Sequence, residues 1–363
     1  MFSNDPRTVL TLDAGGTNFV FTAIRGNKET IDPVVLPSHS DNLEVCLETI
    51  IEGFSTIKKM LDDIPVAISF AFPGPADYEN GVIGNLPNFP AFRGGVALGS
   101  YLKEKFGLPV FINNDGNLFA YGEALAGTLP EINAELKKAG SFRQYKNLLG
   151  ITLGTGFGGG VVINNVLLTG DNGCGGDVWC SANKYNNGLI SEEGASIRAV
   201  KRVYRELSGD DAELTPKEIY DIAESNRKGN RKAAISAFEE LGRVAGFTVA
   251  ESLNIVDGIV VMGGGIAKAY KYILPTMVNE MSGTRSMLSG NVFPRLQMKV
   301  YNLMSDTEKK AFLMDESVWV SIPGLDKKVN YNTEKKTGVT VSSLGTSKAI
   351  ALGAYAYALR MLD

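Results

Sequence analysis

The sequence predicts an α/β protein with two lobes, and three observations lead to that prediction. Strand-like apolar runs alternate with helical patterns, as where a strand at 109–112 is followed by a helix from Leu118 to Leu125. Two glycine-broken hairpins, near residues 10–24 and 149–163, look like copies of each other. The chain has 363 residues, 44% of them hydrophobic, which is enough for two domains and a sizeable core.

Composition narrows the class of protein. A formal net charge of −4 argues against nucleic acid as the main partner, because phosphate binding needs a basic surface. The three cysteines, Cys46, Cys174 and Cys180, form no CxxC motif and cannot all pair, which favours a reducing compartment. The N-terminus lacks a signal-peptide pattern, and no apolar run is long enough to span a bilayer. We therefore expect a soluble, cytoplasmic protein without a membrane partner.

The first part of the chain predicts a hairpin, a helix and a strand. The apolar run at 10–13 passes through a turn at 14–18 into a second apolar run at 19–24. Asp41 and Glu44 then have the spacing of a capping box, and apolar residues recur at helical spacing as far as Leu61. A strand at 66–72 ends at Pro73-Gly74-Pro75.

The second half continues the alternation. Thr215, Pro216 and Glu218 are typical of a helix start, and a longer helical pattern covers about 231–253. A strand at 259–262 breaks at Gly263-Gly264-Gly265, and a helix is expected from 266 onward. Residues 303–341 are polar and rich in Lys and Glu, so we expect an insertion of short strands outside the main sheet. An Ala-rich helix at 346–362 ends the chain.

The glycine turns suggest phosphate binding, since glycine lets a phosphate approach the backbone closely. The string Gly154-x-Gly156-x-x-Gly159 is known from dinucleotide sites, but the β-branched residues after it predict a strand where such a site needs a helix. In the first turn, Asp13 could hold Mg²⁺ directly or through water, while Thr17 and turn amides meet phosphate oxygens. Ordinary tight hairpins and a turn-forming Asp13 are the alternatives.

Asp115 is the strongest candidate for a catalytic group. It lies where a buried strand gives way to a helix, which is the usual ligand crevice of an α/β sheet. An ionised carboxylate there accepts a proton from a hydroxyl that attacks a phosphoryl group. The alternative is a helix N-cap, and the adjacent Asn113 and Asn114 suit either sugar hydroxyls or a turn. His39 is the only histidine, which excludes a multi-histidine zinc site and argues against triad hydrolysis.

The two glycine turns, the segment around Asp115 and the glycine run at 263–265 occur in an order that resembles the ROK sugar kinases, a branch of the actin/hexokinase-like ATPases. The resemblance extends over nearly the whole chain. Residues 12–18 look like the first phosphate motif and 153–160 like the second. The N-D-x-N segment is similar to 114–117, followed by Gly122 and Glu123. The remaining similar segments are Phe72-Pro73-Gly74-Pro75, Gly81-Val82-Ile83, Pro87-Asn88-Phe89-Pro90 and, for adenosine, Gly263-Gly264-Gly265.

The resemblance implies ATP with Mg²⁺, held between two lobes of an actin/hexokinase-like (ribonuclease H-like) fold with a β-rich insertion near the C-terminus. It implies Asp115 as general base toward a sugar 6-hydroxyl, with Asn88 and Asn114 on other hydroxyls and Asp177 and Glu192 completing the sugar site. The lobes are expected at 1–117 plus 345–363 and at 118–344, in a homodimer. The implied nucleotide-binding residues are Asp13, Gly15, Gly16, Thr17, Asn18, Gly154, Thr155, Gly156, Gly263, Gly264 and Gly265.

The chain departs from the family pattern beside the implied sugar site. Where the family has Glu-x-Gly-His, this sequence has Asp177 for the glutamate and Cys180 for the histidine. The family's cysteine-rich zinc loop is replaced by residues 181–188, which hold neither Cys nor His, so we expect no structural zinc. The next family glutamate matches Glu192, although Glu193 is one position away.

The resemblance implies an ATP-dependent hexose kinase, a glucokinase before others, and the departures leave two kinds of alternative. One is a kinase for an N-acetylhexosamine or another hexose, because Asp177 and Cys180 change the pocket that would discriminate the sugars. The other is a sugar-binding relative without catalysis. A sugar-sensing repressor is disfavoured, since the first strand begins by about Thr8 and leaves no room for a DNA-binding motif before it.

Overall fold

The computed structural model describes residues 1–15, 17–84 and 90–363. The chain forms two compact units. The first unit comprises Met1–Thr128, Gly160–Gly176 and Ser342–Asp363, and the second comprises Leu129–Gly159 and Asp177–Val341. Compared with the lobes expected from the sequence, the first unit also includes residues 118–128, 160–176 and 342–344.

The first unit is built on a β-sheet. Its elements, in chain order, are β1 (Val9–Ala14), β2 (Asn18–Arg25), β3 (Lys28–Glu29), β4 (Val34–Pro37), α1 (Leu43–Lys59), β5 (Ala67–Ala71), β6 (Ala76–Asp77), β7 (Val82–Ile83), α2 (Leu98–Phe106), β8 (Val110–Asn113) and α3 (Asp115–Leu125). The strands of the sheet lie in the order β3-β2-β1-β5-β8, and β4 pairs with β2. Strands β1, β5 and β8 are parallel, and Asp13, Ala71 and Asn113 stand side by side at their carboxyl ends.

The start of α1 corrects a sequence-based prediction. Its N-cap is Asn42, whose side chain accepts a hydrogen bond from the Val45 N–H at 3.2 Å, and not Asp41. The helix begins at Leu43, so Asp41 lies one residue too early to reach the unpaired amides of the first turn. Glu44 is then the second helical residue, one short of the position a capping box requires.

The remaining elements begin with α4, of which only Thr128 lies in the first unit. They are α4 (Thr128–Lys138), β9 (Leu148–Leu153), β10 (Phe157–Ile163), β11 (Val166–Leu167), α5 (Ile197–Ser208), α6 (Pro216–Ala223), α7 (Arg231–Val256), β12 (Ile259–Gly263), α8 (Tyr270–Met281), β13 (Thr284–Ser286), β14 (Val292–Pro294), β15 (Lys299–Asn302), α9 (Asp306–Leu313), β16 (Ser317–Ser321), β17 (Lys328–Asn332), β18 (Lys336–Val341) and α10 (Thr346–Leu362). The capping box at Thr215 and Glu218 is confirmed at the start of α6. In place of a helix from 266, a 3₁₀ turn at Gly265–Ala269 precedes α8.

In the second unit, β9, β12, β18 and β15 lie in that order and are parallel. The prediction that residues 303–341 stay outside the main sheet is therefore wrong for β18. Its polar residues are buried but satisfied: the Lys336 ammonium donates to the Met314 carbonyl and the Thr337 hydroxyl to the Gly258 carbonyl, both at 2.6 Å. Such satisfied polar groups give a buried strand the composition of an exposed one. The β16–β17 hairpin does stand outside this sheet.

Helix α3 is fixed by its crossing with α10. Glycines at 122 and 353 bring the two backbones into contact, since a Cβ at either position would collide with a carbonyl oxygen of the other helix. Because α10 also packs on β1 and β5, the N-terminus of α3 is held at the carboxyl edge of the first sheet. Across the described ranges, none of the helices has the length and apolar character needed to cross a membrane.

Candidate active site

The junction between β8 and α3 orders three polar residues at the carboxyl edge of the first sheet. Asn113 is buried, and its side-chain oxygen accepts hydrogen bonds from the Asn114 N–H at 2.8 Å and from Asn117 Nδ2 at 3.0 Å. Asn114 is the N-cap of α3, accepting from the Gly116 N–H at 2.8 Å, and its Nδ2 lies 3.5 Å from the Tyr78 hydroxyl. The capping role therefore belongs to Asn114, and Asp115 is the first helical residue.

The Asp115 carboxyl combines accessibility with an altered proton affinity. The side chain is exposed to solvent, but protein atoms crowd around it, and this desolvation raises its pKa. Hydrogen bonds from backbone N–H groups, that of Gly116 at 2.9 Å among them, oppose the shift, and the negative charge of Asp13 adds to it. An accessible carboxylate with a raised pKa is suited to proton transfer from a bound hydroxyl.

The first glycine turn is closed by its own backbone. The Gly15 N–H donates to the Asn18 carbonyl at 3.1 Å, and a Cβ at Gly15 would lie 2.8 Å from that same oxygen. The Ser38 N–H donates to the Thr17 carbonyl at 2.9 Å, which fixes the turn from the side of β4. Thr17 and Asn18 are exposed. Two of the predicted site residues, Gly16 and Asn88, lie outside the described residues.

The second glycine turn lies in the second unit. The Gly154 N–H donates to the Gly156 carbonyl at 3.0 Å, and the Ile197 N–H at the start of α5 donates to the Gly154 carbonyl at 2.8 Å. Thr155 at the tip is exposed. The chain continues as β10, so the prediction of a strand after the glycine string is confirmed.

The Gly263-Gly264-Gly265 turn adjoins the second glycine turn. Gly263 pairs in register with Thr152, so both turns follow the carboxyl ends of neighbouring parallel strands. Gly264 has φ +90°, and a Cβ there would collide with the backbone of Leu153. No atom lies within 4 Å of a Cβ built on Gly265, so its backbone faces open space. Bare backbone of this kind suits a flat ring or a phosphate.

Glu192 braces the second glycine turn. Its Oε2 accepts the Phe157 N–H at 3.0 Å, and its Oε1 pairs with Arg198 at 2.9 Å. Glu193 also pairs with Arg198, at 2.8 Å, but is more exposed. Arg198 was not predicted from the sequence, because one basic residue in a helix with several others carries no distinctive signal. Asp177 is exposed at the start of a 3₁₀ turn, and its carbonyl accepts from the Cys180 thiol at 3.1 Å.

Glu123 is a buried carboxylate to which the sequence assigned no role. It is 0% exposed, and its Oε2 accepts from the Thr128 N–H at 2.8 Å and from the Thr128 hydroxyl at 2.6 Å. The Ser342 hydroxyl donates to its Oε1. All of these residues belong to the first unit, which the chain first leaves after Thr128 and re-enters for the last time at Ser342.

The carboxylates at the carboxyl edge of the first sheet fit an Mg²⁺ ion that is bound together with phosphates. Within the described ranges, no cluster of three or more His, Cys, Asp or Glu side chains is placed to bind a metal ion. Mg²⁺ usually takes only one or two carboxylates and fills its other positions with water and phosphate oxygens. Asp13 and Asp115 at one edge, close enough for the charge of one to alter the pKa of the other, match that requirement.

Comparisons with known proteins match the chain to sugar kinases. The ROK family model matches residues 9–285. A crystal structure of a glucokinase from Parabacteroides distasonis is 57% identical, with a TM-score of 0.90 over 99% of both chains. The glucokinase of Thermotoga maritima is 29% identical over 286 residues, 72% of this chain and 83% of that protein. A ROK glucokinase from Streptomyces griseus, solved with glucose and AMPPNP, shares the fold at 17% identity, with a TM-score of 0.59 over 96% of this chain and 98% of that one.

Proposed function

The chain belongs to the ROK family and is an ATP-dependent sugar kinase, and from this we propose that it transfers the γ-phosphoryl group of ATP to the 6-hydroxyl of glucose. The two-lobed actin/hexokinase-like fold expected from the sequence is confirmed by the relatives' structures. The observation that carries the reaction is Asp115, an accessible carboxylate of raised pKa at the carboxyl edge of a parallel sheet. Glucose is favoured because the 57% identical glucokinase is covered almost completely.

In this proposal Asp115 accepts the proton of the sugar 6-hydroxyl while the oxygen of that hydroxyl attacks the γ-phosphorus of ATP, and ADP leaves. Little covalent chemistry is left to the protein, so its other groups act by positioning and by stabilising charge. The first turn with Asp13, Gly15, Thr17 and Asn18 would hold phosphates and the metal ion. When bound with ATP, Mg²⁺ would offset the charge that develops on the transferred group.

The remaining predicted residues have supporting roles in the proposal. The turn at Gly154–Gly156 offers backbone N–H groups and the Thr155 hydroxyl to phosphate, and 263–265 offers bare backbone to adenosine. Asn114, Asp177 and Glu192 are proposed for the sugar, although the side chain of Glu192 is already engaged with Phe157 and Arg198. The two lobes closing on substrate, the homodimer and the cytoplasmic setting stay predictions.

A panel of sugars tests the choice of substrate. We expect kcat/KM to be highest for glucose among glucose, mannose, N-acetylglucosamine and N-acetylmannosamine, measured by ADP release. Coupling to glucose-6-phosphate dehydrogenase then reports whether the phosphate is on the 6-hydroxyl. A higher kcat/KM for an N-acetylhexosamine would contradict glucose as the substrate. No turnover of any sugar, with thermal stabilisation by glucose intact, would favour a binding protein.

Chelators test the two metal predictions separately. EDTA in excess over Mg²⁺ is expected to abolish turnover, and added MgCl₂ to restore it, because the triphosphate needs its cation for transfer. The chelator 1,10-phenanthroline binds zinc and other transition metals but Mg²⁺ only weakly. It is expected to change neither the rate nor the melting temperature, since residues 181–188 contain no Cys or His. Loss of stability with phenanthroline, reversed by added Zn²⁺, would show a structural zinc site.

A further inference from the structure

The segment between the 3₁₀ turn at Val178–Cys180 and Glu192 is a closed loop, here called the 181–190 loop. Its ends are joined by hydrogen bonds from the Ser191 N–H to the Ser181 carbonyl at 2.7 Å and from the Asn183 N–H to the Leu189 carbonyl at 2.9 Å. Asn183 is buried, and its side-chain oxygen accepts the Tyr185 N–H at 2.9 Å. The loop leads directly into Glu192, which braces the second glycine turn.

The tip of the loop is tied to two long helices by Lys184. Its ammonium pairs with Glu280 on α8 at 2.7 Å, with both side chains largely buried. The same ammonium lies 6.0 Å from the centre of the Phe247 ring on α7. Next to it, the Tyr185 hydroxyl accepts from Arg243 on α7 at 3.2 Å. These three contacts place the loop tip on α7 and α8.

Glu280 in turn belongs to a larger ion-pair network. Arg295, with only 6% of its side chain exposed, pairs with Glu280 at 2.5 Å and with Glu251 at 3.0 Å. Its guanidinium lies 4.1 Å from the centre of the Phe247 ring, in cation–π contact. Arg285 also pairs with Glu251. We call Lys184, Glu280, Arg295, Glu251 and Arg285 the anchor network.

The chemistry of the network explains why it can hold a loop. Isolated exposed ion pairs contribute little, because water and salt screen them. Here Arg295 is nearly buried between two carboxylates and an aromatic ring, which keeps Glu280 in one place. Glu280 then presents a fixed acceptor to Lys184. A bound metal ion is one way to fix a loop, and charged side chains supply an alternative here.

We propose that Lys184 is a positioning residue: through the anchor network it holds the 181–190 loop so that Glu192 supports the second glycine turn, and it thereby sets the affinity for ATP. The proposal rests on the proposed function in so far as that turn binds the nucleotide. Among the contacts that the structure describes, neither Lys184 nor Glu280 reaches the turn. The effect passes along the backbone from residue 184 to residue 192.

Kinetics of three variants test the proposal. Lys184→Met should raise the KM for ATP by about fivefold with kcat within about twofold, as expected for a loss of binding alone. Lys184→Arg, which keeps the charge, should restore most of the affinity. Lys271→Met is the matched control. Lys271 lies on α8, the helix that carries Glu280, and like Lys184 it pairs with a glutamate, but its partner Glu224 is away from the loop.

Several outcomes would overturn the proposal. These are an unchanged KM for ATP in Lys184→Met, an equal rise in Lys271→Met, and a rise confined to the KM for the sugar, which would exclude an effect on the second glycine turn. Hydrogen exchange on the ligand-free, full-length protein separates this from the proposed function. Residues 181–193 should exchange faster in Lys184→Met than in wild type or Lys271→Met. Unchanged exchange would refute the anchor even if the enzyme phosphorylates no sugar in the panel.

Discussion

Replacing Asp115 by Asn is expected to lower kcat by about 10²–10⁴-fold, the range that a general base contributes, without loss of fold or nucleotide binding. Asn can still accept the Gly116 N–H, so the first turn of α3 keeps its hydrogen bond. It cannot take the proton of the attacking hydroxyl. Steady-state kinetics give kcat, and calorimetric titration with AMPPNP checks nucleotide binding.

The pKa of Asp115 adds a pH dependence with a definite sign. Only the ionised carboxylate acts as a base, so wild-type kcat/KM should fall as the pH decreases through the pKa of Asp115. Desolvation raises the pKa of Asp115. The decline should therefore occur at higher pH than it would for an ordinary aspartate, whose pKa is about 3.9. The residual activity of Asp115→Asn should lack this acidic decline. A profile shared by both proteins would assign the decline to another group.

Stability distinguishes a catalytic loss from a folding defect. A raised carboxyl pKa means that the folded state favours the protonated form, and any stability from that preference is present at low pH and lost as the pH rises. Removing the charge should therefore not lower the melting temperature at pH 7. Asp41→Asn is the matched control, since Asp41 is exposed and does not cap α1. If Asp115→Asn retains kcat within about tenfold of wild type, Asp115 is not the base.

Local patterns predicted much of the fold because the relevant interactions are local. The glycine turns and their flanking β-branched residues indicated both hairpins, and Thr215 with Glu218 marked a helix start that the structure confirms. The place of strand β18 in the main sheet was missed because its burial depends on partners far along the chain, such as the Gly258 carbonyl that accepts from Thr337. Alternation of polar and apolar residues carries no information about such distant satisfaction.

The site shows the same division between local and distant information. The position of Asp115 after a buried strand was visible in the sequence, but its accessibility and the influence of Asp13 depend on parallel pairing within the sheet. The anchor network was not visible, because it joins residues from 184 to 295 that share no pattern. Arg198 and Glu123 were overlooked as partners for the same reason: their contacts exist only once the chain is folded.

The other large effect is expected on the free energy of unfolding when Glu123 is replaced. We expect Glu123 to stabilise the fold and not to take part in the reaction. Glu123→Ala would leave the Thr128 N–H, the Thr128 hydroxyl and the Ser342 hydroxyl without their buried acceptor. At about 1–3 kcal/mol for each of the two buried Thr128 groups, the free energy of unfolding should fall by about 2 kcal/mol or more. Ser342 is 219 positions away along the chain, so the loss also removes a link between the place where the chain first leaves the first unit and the place where it last re-enters that unit.

Urea-induced unfolding measures this loss, and two further variants interpret it. Glu123→Gln keeps the shape and one oxygen acceptor, so its loss of stability should be smaller than that of Glu123→Ala. Glu48→Ala, at an exposed position on α1, should stay within about 0.5 kcal/mol of wild type. Equal unfolding midpoints for Glu123→Ala and Glu48→Ala would contradict a stabilising role. Because Glu123 touches neither turn nor Asp115 in the described contacts, folded Glu123→Gln should keep the wild-type pH profile, which separates it from the Asp115 variant.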